Sequence, residues 1–216
     1  MKAYITHYTP LIERKPMIQH ECEVAGLEAY FIESYDRDVL TEEMKAKFAC
    51  TLSDSKKSLI LKHIEAWRQI VESENPWGLV LEDDALLIPK FLSIFKKYME
   101  ELPTNFDIFM INYGCELHIP PTRIEENQHV YKRGTEPTYW GGDGGTRCTE
   151  GYVISRDCAK KFLDIYEKSP NNSIEKPVDW WMNIMLRELN CDVYWAEPPI
   201  VRQGSLWGLV QRSLHE

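Results

Sequence analysis

The sequence has no long apolar run, no cysteine pair at zinc-finger spacing, no glycine-rich phosphate loop and no excess of positive charge. Each absence excludes something. A membrane-spanning helix needs roughly 18 or more consecutive apolar residues, and no stretch approaches that. The opening "MKAYITHYTPLIERK" lacks the apolar core of a secretion signal, so neither a signal peptide nor an anchor is expected, and the expected location is cytoplasmic. The cysteines (Cys22, Cys50, Cys115, Cys148, Cys158 and Cys191) never fall at C-x-x-C spacing, which argues against a structural zinc site and for reduced thiols. No G-x-x-x-x-G-K-[ST] occurs; Gly141, Gly142, Gly144 and Gly145 read instead as hinges of a loop, or as a simple turn. The net charge of −9 argues against nucleic acid held on a broad basic surface. It leaves a nucleotide ligand open, because a bound cation can neutralise phosphates locally.

What is present is an ordinary globular composition, 44% hydrophobic and 27% charged, over 216 residues, enough to bury a core and read here as one domain, 1–216. "KAYITHY" and "GLEAYFIESYD" read as strands flanking a helix in "PLIERKPMIQHECEVA". "SDSKKSLILKHIEAWRQIVES" is the clearest helix, with Ile60, Ile64, Trp67 and Val71 on one face. "WGLVLE" follows as a buried strand. Pro89 is placed to open a helix through "KFLSIFKKYMEEL", closed by Pro103. "FDIFMINYG" and "GYVIS" are strands, "RDCAKKFLDIYEK" and "VDWWMNIMLREL" helices, and "CDVYWAEPPIV" a last strand. The alternation predicts an α/β fold: an open, mostly parallel central sheet with helices on both faces. Residues 113–145 lack periodicity and read as one long active-site or acceptor loop.

The sharpest feature is Glu82, Asp83 and Asp84, three acids where the apolar strand "WGLVL" runs out. Ligands of open α/β sheets bind beyond the carboxyl ends of strands. With an extended backbone Glu82 and Asp84 would point one way and Asp83 the other. Two converging carboxylates suit Mg²⁺ or Mn²⁺ bridging ligand phosphates; the bland alternative is pairing with Lys or Arg, or capping the next helix.

In order along the chain, "HYTPLIERK", "SLILKHIEAWRQIVESENPWGLVLEDDALL", "FDIFMINYG", "GGTRCTEGYVISRDCAKKFL", "PVDWWMN" and "EPPIVRQGS" resemble the blocks of glycosyltransferase family 25. That family comprises lipooligosaccharide-type sugar transferases with viral and collagen-modifying relatives. The start departs from the family's usual asparagine-leucine-aspartate, and Lys62 stands before His63 where a Ser-His pair is frequent. The resemblance implies a GT-A type (Rossmann-like) fold, a UDP-sugar donor, Mn²⁺ (or Mg²⁺) at the acids, and transfer of a hexose to a glycan acceptor on lipid or protein with inversion.

The chemistry then assigns roles. Asp84 and Glu82 would hold the metal, and Asp83 would touch the ribose or donor sugar. Inversion needs a general base, for which Asp179 is the first choice and Glu150 the second; capping its helix is the alternative role of Asp179. Thr6, His7, Tyr8, Arg14, Lys62, His63, Gln203 and Ser205 are candidate donor contacts. Arg14 could equally be an exposed helix residue, and His63 a structural histidine. Trp67 reads as core. Trp140, Trp180 and Trp181 are candidate sugar platforms, the last two unable both to face the core. Two other functions stand beside transfer: a nucleotidyltransferase, against which the glycine-free "THYTPLIERK" counts, and a non-catalytic sugar-nucleotide or glycan-binding relative.

Overall fold

The computed structural model describes residues 1–133, 144–205 and 208–209. Gly141, Gly142 and Trp140, expected as hinges and a sugar platform, lie outside them. Nine strands and six helices follow in order: β1 (Lys2–Thr6), α1 (Arg14–Val24), β2 (Glu28–Ile32), α2 (Glu42–Lys45), α3 (Asp54–Glu72), β3 (Trp77–Glu82), β4 (Ala85–Leu87), α4 (Phe91–Glu101), β5 (Ile108–Met110), β6 (Val130–Lys132), β7 (Gly151–Ser155), α5 (Arg156–Lys168), α6 (Val178–Glu188), β8 (Val193–Ala196) and β9 (Val201–Gln203).

Seven strands form one sheet in the order β2-β1-β3-β7-β5-β8-β6, and β4 pairs with β9 in a separate ribbon. β1, β2, β3, β5 and β8 share one direction, as expected of a mostly parallel sheet; β7 and the edge strand β6 run against it. Side chains alternate between two apolar layers, the period-two pattern of a sheet covered on both faces. Tyr4, Val80 and Ile154 face α3, α5 and α6, packing against Ile64, Phe162 and Met182. Ile5, Leu79, Leu81 and Val153 face α1 and α4, against Ile18, Phe91 and Phe95. Ile60, Ile64 and Trp67 of α3 are fully buried, as the helical spacing predicts.

Three expectations need correction. Pro89 does not open α4. It follows the last β4–β9 contact, Ile88 N–H to the Ile200 carbonyl (3.3 Å), in a turn closed by Phe91 N–H on Ile88 (3.1 Å). Lys90, at φ 61°, supplies the left-handed residue such a turn demands. The 113–145 segment is not loop throughout: its described residues hold two short 3₁₀ turns and β6, an edge strand too short to show a period. The chain also does not stay extended through the acids, since β3 ends at Glu82 and residues 83–84 turn into β4. Pro16, the third residue of α1, leaves that helix intact, because a first-turn N–H has no intrahelical partner to lose.

Candidate active site

The parallel register places Thr6 of β1 beside Glu82 of β3. Across the other edge of β3, Glu82 N–H donates to the carbonyl of Glu150 (3.1 Å), the residue before β7. Because β7 runs backwards, its beginning lies at the carboxyl end of β3. Thr6, Glu82 and Glu150 therefore stand in a row at the sheet edge where ligands of such folds bind. The β4–β9 ribbon closes one side: Gly204 N–H donates to the Asp84 carbonyl at 2.7 Å.

The three acids have separate fates. Asp83 is anchored, accepting from Arg14 Nη1 (2.6 Å), His7 Nδ1 (2.9 Å) and Tyr8 N–H (3.2 Å). Burial alone would raise its pKa, but His7 and Arg14 outweigh burial and hold it below the usual carboxylate range. Asp83 lines the cavity described below, yet its oxygens are already committed to β1 and α1. Glu82 accepts from Thr149 Oγ1 (2.5 Å) and lies 3.7 Å from His63 Nε2. Asp84 is 1% exposed, and neither of its oxygens accepts a hydrogen bond from a described residue. Burial, then the charge of Glu82, raises its pKa to about 6; Ser205 and Arg14 offset only part.

Glu150 is in the same condition. It is buried, neither oxygen has a hydrogen-bond partner among the described residues, and burial followed by the Glu82 charge pushes its pKa well up. Buried carboxylates without hydrogen bonds cost several kcal/mol unless something neutralises them, and the one ion pair these four oxygens make among the described residues, Asp84 Oδ2 to Arg14 at 4.0 Å, is to a cation already bound to Asp83. They are hard oxygen donors, the set that Mg²⁺ or Mn²⁺ takes, and they fit such an ion. Glu82, Asp84 and Glu150 do not, however, gather three ligand atoms within 4.8 Å of one another; among the described residues that closeness occurs only at Asp107, Cys158 and Cys191. One or two carboxylates, completed by ligand phosphates, is the usual protein share of a Mg²⁺ site.

His63 points into this space by an assignable tautomer. Trp67 Nε1–H donates to the Tyr152 hydroxyl (2.9 Å), which lies 2.9 Å from His63 Nδ1. Tyr152 is wholly buried, so its single proton is best spent on Nδ1, leaving Nε2–H directed at the Glu82 carboxylate. Asp179 stands on the first turn of α6, two residues after the N-cap position held by Pro177. Burial raises its pKa, partly opposed by the Trp180 and Asp179 N–H groups, which its carboxylate meets without being the N-cap. The charge of Glu82 raises it further. Of the neighbouring tryptophans, Trp181 is 6% exposed and packs on Trp67, while Trp180 is 49% exposed.

Beside Asp83 opens a cavity of about 90 Å³ lined by Thr6, Tyr8, Arg14, Arg37, Ser58 and Lys62 among others. Small-molecule pockets commonly run to roughly 300–1,000 Å³, so only part of a ligand can enter it and the rest must lie in the open groove over the acids. Its cations are engaged. Arg14, buried rather than exposed on its helix, serves Asp83, and Lys62 Nζ donates to the Ser34 carbonyl (2.6 Å) and Asp36 (2.8 Å). Arg37 lies 5.0 Å over the Tyr8 ring and donates to its hydroxyl (3.0 Å), which in turn donates to Asp38.

The structure thus brings together Thr6, His7, Tyr8, Arg14, Lys62, His63, Glu82, Asp83, Asp84, Glu150, Asp179 and Ser205. The Gln203 backbone pairs with Ala85, the residue after Asp84, and its side chain makes no hydrogen bond to a described residue. Sequence reasoning missed Thr149, Asp36 and Arg37. The last two follow β2, and the strand-end rule that found the acids applies equally there.

A family model described as "Glycosyltransferase family 25 (LPS biosynthesis protein)" matches residues 1–182. The chain belongs to glycosyltransferase family 25. Glycosyl transfer is therefore its class of reaction. Among relatives of this family 25 chain, the lacto-N-neotetraose biosynthesis glycosyltransferase LgtE of Neisseria meningitidis is 26% identical, over 94% of this chain and 74% of its own. The lipooligosaccharide biosynthesis protein lex-1 of Haemophilus influenzae is 25% identical over 70% of this chain, which spans only 50% of it. The LgtB glycosyltransferase of N. meningitidis is 24% identical over 84% of this chain and 66% of its own. A crystal structure of a glycosyltransferase involved in glycosylation of the major capsid of PBCV-1 aligns over 91% of this chain and 93% of its own, with a TM-score of 0.41 and 13% identity. No described helix is long and apolar enough to cross a membrane.

Proposed function

We propose that this chain transfers a hexose from a UDP-sugar to a glycan acceptor, on lipid or protein, in a metal-dependent reaction that inverts the anomeric carbon. The observation that carries this reading is a pair of buried carboxylates, Asp84 and Glu150, that accept no hydrogen bond from a described residue, beside Glu82 at the carboxyl-end edge of the sheet. Arg14 and Lys62 are already matched by Asp83 and Asp36, so they bring little uncommitted charge to a diphosphate. A divalent cation on Asp84 and Glu82 fills that need, and the names of the lipooligosaccharide-synthesising relatives support a glycan acceptor.

Asp84 and Glu82 would hold Mn²⁺ or Mg²⁺, with Thr149 fixing the Glu82 carboxylate and Ser205 backing Asp84. When bound, the ion would supply stabilisation for the charge of the departing diphosphate. Thr6 and Tyr8 offer the cavity wall to the nucleotide, and Asp83, through His7 and Arg14, locks the ends of β1 and β3 together. Asp179 takes the proton of the acceptor hydroxyl. It is only half-buried, stands beside exposed Trp180, on which a sugar ring can stack, and burial raises its pKa, which strengthens it as a base. Glu150 is enclosed by protein and is the poorer base for a bulky acceptor; its place beside Glu82 and Asp84 fits electrostatic support of the ion better.

The test is donor hydrolysis and transfer across a panel of UDP-, GDP- and CMP-sugars with Mn²⁺ or chelator. Turnover of a UDP-hexose that requires the metal and is abolished in Asp84→Ala is expected; chelator-insensitive turnover would overturn the metal reading. Asp179→Asn should abolish transfer while leaving donor binding intact, and full transfer by that variant would remove it as the base.

A further inference from the structure

A second cluster of ligand-type side chains lies at the other end of the molecule. Asp107 immediately precedes β5, Cys158 sits in the first turn of α5, and Cys191 lies two residues before β8. β5 and β8 run parallel, so Asp107 and Cys191 are at the amino ends of strands whose carboxyl ends point toward the acids of the candidate active site. One ligand atom from each of the three residues lies within 4.8 Å of the other two. Cys158 is fully buried and Cys191 half-buried. Asp107 is oriented by a hydrogen bond from Asp192 N–H to Oδ2 (2.8 Å), a backbone support of the kind that fixes metal-ligating carboxylates. Among the described residues its Oδ1 meets only the Lys161 ammonium, at 3.4 Å, and that side chain is 49% exposed.

We infer that Asp107, Cys158 and Cys191 form a binding site for a thiophilic divalent cation of the Zn²⁺ type, with water as the fourth ligand. Two sulfurs and one carboxylate select a softer ion than the oxygen-only acids at the far end of the sheet, so the two sites do not compete for one metal. The two thiols stand within hydrogen-bonding reach of each other, and that contact lowers the pKa of Cys191 and raises that of Cys158. Binding displaces both thiol protons to solvent, giving two thiolate–metal bonds and one carboxylate–metal bond, with no change in oxidation state. The ion would tie the start of α5 to the starts of β5 and β8. No local spacing reveals such a site, because its ligands come from three distant segments, and that is why the missing C-x-x-C pairs argued against zinc.

The test uses the whole, fully reduced protein titrated with Co²⁺, which reports thiolate ligation through a charge-transfer band, followed by displacement with Zn²⁺. One equivalent developing the band and displaced by Zn²⁺ is expected. Cys191→Ser, at a half-buried position that tolerates the change, should weaken Co²⁺ binding by more than the roughly 10- to 100-fold that loss of an outer hydrogen-bond partner costs. Asp107→Asn should weaken it while leaving the band's sulfur character. Asp84→Ala should leave the band untouched, which separates this site from the oxygen site of the proposed transferase. A band unchanged in Cys191→Ser, no band at all, or a Cys158–Cys191 disulfide in freshly isolated protein would overturn the inference.

Discussion

Asp84 is a buried acid whose charge is only partly compensated, and replacing it separates stability from function. Its pKa rises from 3.8 to about 6, chiefly through burial and then through the Glu82 charge. Each unit is worth about 1.36 kcal/mol, so keeping the carboxylate ionised in the folded chain costs on the order of 3 kcal/mol above about pH 6. The folded state binds this proton more tightly than the unfolded chain does. The penalty is therefore fully present above the folded pKa, fades as pH falls from about 6 toward 3.8, and is absent below that. Asp84→Asn removes the ionisation and with it the repulsion from Glu82. At about pH 8, with chelator present, the variant should be more stable than the parent by up to about 3 kcal/mol. For a chain of this size that is a rise in Tm of roughly 6–12 °C. The advantage should shrink to nothing near pH 4, and saturating Mn²⁺ should stabilise the parent but not the variant. Thermal unfolding followed by circular dichroism across that range measures all of this. Loss of stability in Asp84→Asn at the higher pH, or a gain that persists undiminished in acid, would refute the account of Asp84 as an uncompensated buried charge.

Two further predictions concern the wall behind the site. Arg147 is fully buried, pairs with Glu197, donates to the Ala196 carbonyl (2.8 Å) and lies 4.2 Å over the Trp195 ring. Arg147→Ala takes from Glu197 its buried cation, leaving it only His118 Nδ1 (3.0 Å) and the Ile119 N–H (3.0 Å) among the described residues, and should cost about 3 kcal/mol in a urea unfolding measurement, with part recovered in an Arg147→Met/Glu197→Gln double variant; a cost under about 1 kcal/mol would show that the pair carries little. A Cβ at Gly114 would stand 1.8 Å from the Arg147 carbonyl oxygen, a backbone atom that cannot swing aside. Gly114→Ala should therefore lower the urea midpoint by the equivalent of about 1–3 kcal/mol or more, and an unchanged midpoint would contradict that packing.

The parts that local pattern controls were legible in the sequence. The spacing of Ile60, Ile64 and Trp67 identified α3 and its buried face, and "WGLVL" identified a strand covered on both sides. The strand-end rule then located Glu82 and its neighbours. Features that depend on contacts between distant segments were not legible. That Glu150 would lie opposite Glu82 depends on β7 entering the sheet backwards between β3 and β5, which no local spacing encodes. The division of labour among the three acids was obscured for a related reason. Asp83 is consumed by His7 and Arg14 because the chain turns at 83–84 rather than staying extended. Pro89 misled because a proline opening a helix and a proline opening a turn look alike until the left-handed Lys90 is seen.

The reversed strand also sets an order of events during synthesis. β1, β2 and β3 are contiguous in the chain and can pair early, but β3 then presents an open edge that only β7 covers. Until residues 151–155 have emerged, Glu82 lacks both Thr149 and its sheet partner, and until 201–205 follow, Asp84 has no ribbon behind it. Such long-range pairings are the slow steps of folding. Asp83 can meet His7 and Arg14 as soon as β1 and β3 pair, whereas Glu82 and Asp84 reach their full burial only as the last strands close, so a nascent chain halted before β7 would carry the acidic motif without a site.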